Sequence, residues 1–144
     1  MSVYRFALAL VLIGICSTPL AHENCTQAEA KTAEEGADSM ANWSQLHKAF
    51  TRFRFCDDGA IAEGYSDSVV RLLIEQWRDV SDLQKTFDAD QGFEVFVLRH
   101  VDELMSPTEL AHIQSNATNS CPSGAHKFCQ KIIDRVGAIR SGGA

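Results

Sequence analysis

The residues with the greatest capacity for chemistry lie in one run, Cys56-Asp57-Asp58-Gly59-Ala60-Ile61-Ala62-Glu63-Gly64-Tyr65-Ser66-Asp67. It places carboxylates, hydroxyls and two glycines between strongly apolar segments. Two carboxylates work as an acid and a base only where their surroundings push their pKa values apart, and spacing alone does not establish that. The same residues have a structural use. Asp57 and Asp58 can cap the helix that follows and complement its positive end, while Gly59 closes the helix before it. Asp57, Asp58, Glu63 and Asp67 also gather negative charge beside a glycine turn, so a partner-binding surface is expected there, and no catalytic residue is assigned.

The remaining constellations carry less. Asp88-Ala89-Asp90-Gln91-Gly92 begins like a calcium loop, but counting from Asp88 puts Phe93 where the loop needs glycine and Arg99 where it needs glutamate. Helix capping by Asp88 or Asp90 accounts for it better. His100 with Asp102 and Glu103, and His112 with Glu109, have spacings that invite a metal, yet no His-Glu-x-x-His pattern is present. His100 sits on an apolar stripe and reads as a hydrogen-bonded core residue. Ser66 lacks the flanking glycines of a nucleophile elbow. No metal site and no cofactor is expected. Asn24, Asn42 and Asn116 each head a glycosylation triplet, which matters only in a eukaryotic secretory pathway.

The elements that position these residues read as helices. Trp43, Leu46, Phe50 and Phe53 recur at steps of three or four, as do Ile61, Tyr65, Val69, Leu72, Leu73 and Trp77. Gly64 leaves two starts open for that second helix, at Asp58 or Gly59, or afresh with Ser66 as its cap. Ser81-Asp82 is expected to cap a short helix through Leu83 and Phe87. Phe93, Phe96, Val97, His100, Val101 and Leu104 form the next stripe. Ser106-Pro107-Thr108-Glu109 is a capping box with proline at the first helical position, and Leu110, Ile113 and Ala117 follow it inward. A last helix carries Phe128, Cys129, Ile132, Ile133, Val136 and Ile139. The expected fold is all-α, a compact single-domain bundle of five or six helices. Between Thr26 and Ala41 large apolar residues are few, so a helix there packs weakly unless Cys25 staples it.

The first 21 residues set the compartment. Arg5, the apolar run Phe6 to Ile15, and Ser17-Thr18-Pro19-Leu20-Ala21 have the layout of a secretory signal peptide. Residues 22–144 are then one helical domain, periplasmic or secreted. Loss of Arg5 moves the formal charge from −6 to −7. Such acidity disfavours nucleic acid and speeds encounter with basic partners. Cys25, Cys56, Cys121 and Cys129 remain, and an even count in an exported chain reads as two disulfides. Three connectivities are open. Cys25–Cys56 with Cys121–Cys129 is preferred, because Pro122-Ser123-Gly124 can fold the chain back between the second pair.

The signal peptide, the Trp43 to Phe53 helix, the Cys56-Asp57-Asp58-Gly59 turn, Trp77, and Cys121-Pro122 with Cys129 together resemble small helical, cysteine-containing periplasmic proteins of Gram-negative bacteria. Among these are the immunity proteins that neutralise peptidoglycan amidase effectors of type VI secretion. The resemblance is one of type and transfers no functional residue. It implies an exported, non-catalytic binding protein, an immunity protein or inhibitor, with a protein partner such as a basic toxin or enzyme. Membrane insertion is not expected after cleavage, and homodimerisation is left open. The alternatives are an envelope hydrolase, carboxylate- or metal-dependent, using Asp57, Asp58, Glu63 and His100, and a structural or stress-response envelope protein.

Overall fold

A computed structural model describes residues 24–142; the expected signal peptide lies outside them. Among the described residues there is no strand, and seven α-helices replace the expected five or six. They are α1 Gln27–Glu34, α2 Trp43–Phe53, α3 Gly59–Glu75, α4 Val80–Ala89, α5 Gln91–Arg99, α6 Pro107–Asn119 and α7 His126–Arg140. Short 3-10 helices at Arg54–Cys56 and Trp77–Asp79 lead into α3 and α4. The count rises because the weakly apolar segment after Cys25 does form a helix. The disulfide Cys25–Cys56 ties its start to the 3-10 helix that follows α2, and Ala33 and Ala37 pack inward. The second disulfide is Cys121–Cys129, which fastens the α6–α7 turn to the first turns of α7.

The central element is α3. Asp58 caps it, its Oδ1 accepting from the Gly59 amide at 2.8 Å, and Gly59 opens the helix instead of closing the one before. The chain runs through Gly64 without a break. A Cβ at Gly64 would lie 2.8 Å from the Ala37 Cβ, so the missing side chain is what lets the α1–α2 connection press against α3. Polar bonds fix that approach: Ser68 Oγ donates to the Ala37 carbonyl at 2.6 Å, and Arg71 donates to the Met40 carbonyl at 2.9 Å.

The core is one cluster drawn from every helix, with Leu46, Tyr65, Leu72, Leu73, Phe93, Ile113, Phe128 and Ile132 fully enclosed. Of the residues on the expected stripes, Ile133 and Ile139 are partly exposed and Leu104 is exposed. Phe50, Phe87, Phe93, Phe96 and Phe128 form a chain of ring contacts with centroids 4.9–5.6 Å apart, the spacing at which tilted rings gain beyond area burial. One start differs from the sequence reading, and at another one of the two expected caps is taken. The 3-10 turn at Trp77–Asp79 runs straight into α4, so Ser81 and Asp82 lie inside that helix; Asp90, whose side chain accepts from the Phe93 amide, caps α5. The box at Ser106 forms as expected, with Glu109 accepting from the Ser106 amide at 2.8 Å. No helix among the described residues is long and apolar enough to cross a membrane.

Candidate functional site

One face of α3 meets the turn between α5 and α6. Glu63, Ser66, Asp67 and Val70 fall at helical spacing and so share that face. Opposite them α5 ends at Arg99, and the Asp102 carboxylate accepts from the Leu104 amide at 2.9 Å, folding the chain back before the Ser106 cap. That turn sends Leu104 into solvent, 76% exposed, although the sequence stripe pointed it inward. The result is a notch of about 250 Å³ between Glu63, Ser66, Asp67, Val70, Asp102, Leu104, Met105 and Glu109. A shallower groove continues past Ser66 and Leu104 to Asp58, Arg99 and His100.

Beneath the two lies a chain of buried polar contacts. Asp57 Oδ2 is 3.1 Å from His100 Nε2, His100 Nδ1 is 2.9 Å from Ser66 Oγ, and Ser66 Oγ is 3.1 Å from Asp102 Oδ2. Arg99 also pairs with Asp57. Burial pulls the His100 imidazole down to about 4; the Arg99 charge adds to this and Asp102 opposes it. It is therefore neutral at pH 7. Tyr65, whose ring edge faces His100, is pushed up to about 12 by burial and keeps its proton.

The order Ser66, His100, Asp57 has the residue types of a hydrolytic triad, but the surroundings do not suit one. Ser66 stands in the middle of a 17-residue helix, where neighbouring amides are bonded along the helix and none is free to receive an oxyanion. Its oxygen is shared with Asp102, and its own residue is 9% exposed. The clearer role of the arrangement is structural, since it ties the loop before α3, α3 itself and the α5–α6 turn into one unit. No group of three or more His, Cys, Asp or Glu side chains among the described residues is placed to hold a metal ion.

The structure divides the four residues expected to form the acidic surface. Glu63 and Asp67 are exposed and line the notch. Asp58 is exposed at the far end of the groove and spends one oxygen on its cap. Asp57 is removed from the surface: its side chain is 2% exposed and is compensated by Arg99 and His100. An aspartate beside a glycine turn looks solvated in sequence, and its partners lie more than forty residues away. In its place the fold supplies Asp102, Glu109 and Leu104, which sequence reasoning assigned to a metal spacing, a capping box and a core stripe. Among the described residues Glu63, Asp67 and Glu103 make no ion pair, so the face keeps its charge. A larger depression of about 480 Å³ beside Trp43, His47, Gln76 and Asp79 shows no comparable convergence. His47 there is paired with Asp90 at 2.9 Å, a bond that holds the Asp90 carboxyl below its usual range.

Comparison with protein families, curated proteins and solved structures gives no match, so the site is read from its geometry.

Proposed function

We propose that the chain is an exported, non-catalytic binding protein, an immunity protein or inhibitor that sets its acidic face into the basic cleft of a cell-wall-degrading toxin. The observation that carries this reading is the exposed Leu104 standing among Glu63, Asp67, Asp102 and Glu109. An isolated apolar side chain ringed by unneutralised carboxylates supplies a contact that excludes water and a field that draws in a cationic surface. The test is a pull-down against the product of the adjacent gene, since an immunity gene sits beside its toxin. Binding kinetics of Glu63→Lys and Asp67→Lys follow. Slower association in folded variants supports the reading, and no binding to that product counts against it.

A hydrolase is the second reading, favoured by the Ser66–His100–Asp57 contacts alone. Covalent labelling of Ser66 by a fluorophosphonate would support it over the binding reading; an unlabelled serine in folded protein leaves the binder.

A further inference from the structure

The acidic chain also carries a basic face. Between Asp38 and Asp57 the sequence holds no acidic residue, and Lys48, Arg52 and Arg54 fall in that stretch. All three are exposed, and none makes an ion pair among the described residues. Arg52 and Arg54 instead lie over aromatic rings, with the guanidinium carbons 4.7 Å from the Phe53 centroid and 4.8 Å from the Phe55 centroid. Such a contact uses the flat side of the guanidinium and leaves its N–H edge for another acceptor.

Helix α5 extends this face. It runs parallel to α2, since His47 meets Asp90 and Phe93, Phe50 meets Phe93 and Phe96, and Asp57 meets Arg99 and His100. A Cβ at Gly92 would lie 3.5 Å from the Phe50 ring. Val95 and Arg99 follow Gly92 at helical spacing, so they stand on the side of α5 turned towards α2. Phe55 is 45% exposed and Val95 66% exposed, and apart from Leu104 no other large apolar side chain among the described residues is left so open. The neighbouring carboxylates are spent: Asp57 is enclosed against Arg99 and His100, Asp90 is paired with His47, and Glu94 is paired with Lys131. Asp58 caps α3.

We infer that this face rests on an anionic membrane surface, its cations on lipid phosphates and its two apolar side chains, Phe55 and Val95, in the headgroup layer. Lysine and arginine beside exposed apolar groups on one side of a helical element is the composition of a segment that lies in the interface without spanning it. The acids elsewhere on the molecule do not cancel the attraction, because salt screens charges farther than about 8 Å at physiological ionic strength. The depressions described above do not reach Lys48, Arg52, Arg54, Phe55 or Val95, so these residues present a broad surface to a broad partner. The chain also enters the domain here. Cys25 is bonded to Cys56, the residue after Phe55, and the apolar run of the sequence ends at Ile15. The stretch from Ile15 to Cys25 reaches at most about 35 Å, so export through that run brings this face to the bilayer. The inference goes beyond the binding reading and uses none of the notch residues.

The test is co-sedimentation of the disulfide-bonded protein with vesicles of phosphatidylcholine and phosphatidylglycerol in equal parts, against vesicles of phosphatidylcholine alone. Binding should appear with the anionic vesicles only and should weaken as salt rises. Each unpaired cation near such a surface strengthens binding by about fivefold, so Lys48→Glu with Arg52→Glu and Arg54→Glu should weaken it by about a hundredfold or more. Circular dichroism checks the fold. If that variant misfolds, Lys48→Gln with Arg52→Gln serves, with a loss of about twenty-fivefold. Phe55→Ala should weaken binding while leaving its salt dependence unchanged. Equal binding to both kinds of vesicle, no binding, or binding insensitive to the charge substitutions overturns the inference. Competition by soluble glycerol phosphate at the same headgroup concentration would reduce the face to a single phosphate site and overturn it as well. Self-association abolished by the same substitutions, without vesicle binding, would give the face to a second copy of the chain and reject the membrane.

Discussion

Acidification should destabilise the wild-type protein more than a His100→Gln variant, and the size of the difference follows from the buried site. Burial, reinforced by Arg99, lowers the imidazole from its ordinary 6.5 to about 4. The unfolded chain thus takes up a proton in a range where the folded chain does not. The stabilisation is complete above the unfolded value of 6.5 and is lost as the pH falls towards about 4. Each pH unit of that gap corresponds to ~1.36 kcal/mol, so the loss comes to roughly 3 kcal/mol. Urea unfolding at steps between about pH 7 and about pH 4 measures it as the change in stability of each protein. Asp90, held low by its bond to His47, also costs stability in acid, but it does so in both proteins and cancels in the difference. The glutamine variant starts less stable, which leaves its slope informative. Parallel pH curves for the two proteins would refute the assignment of a neutral, enclosed His100.

Asp57→Ala should cost about 1–3 kcal/mol in chemical denaturation, because it leaves the enclosed His100 Nε2 without its partner while Arg99, 59% exposed, turns to solvent; a loss well below about 1 kcal/mol would return Asp57 to the surface. Gly64→Ala should destabilise by about 1–3 kcal/mol despite the better helix propensity of alanine, since its Cβ would meet Ala37 at 2.8 Å; a stabilised variant contradicts the close approach of the α1–α2 connection. Thiol titration of the denatured, unreduced protein should find no free group among Cys25, Cys56, Cys121 and Cys129. Opening Cys25–Cys56, which spans 31 residues, should cost roughly 3–4 kcal/mol, read as a lower melting temperature under reductant.

What was legible in the sequence was local. The capping box at Ser106 uses residues three positions apart, and the stripes of α2, α3 and α7 are spaced by the helix itself, so neither needed knowledge of the tertiary fold. Gly64 was ambiguous because its reason for being glycine lies in Ala37, on a different segment. Asp57 was misplaced for the same cause: the residues that bury it, Arg99 and His100, are brought in by α5. Leu104 keeps helical register with Phe93 and Val97, but the helix stops at Arg99 and the Asp102 carboxylate turns the chain outward. Glu63 and Asp67 were found because an exposed acidic pair on one helix face is itself a sequence pattern. Their partners Asp102 and Glu109 were not, because only the packing of α3 against the α5–α6 turn joins them.

The central claim is that the face around Leu104 binds a cationic protein partner, and association kinetics with the product of the adjacent gene test it most directly. Leu104→Ala removes an exposed side chain and should leave the fold intact, while dissociation speeds up by about tenfold or more. Glu63→Lys with Asp67→Lys should slow association and flatten its dependence on salt. Association and dissociation rates that match the wild type in both folded variants would place the interface elsewhere on the molecule and contradict the account.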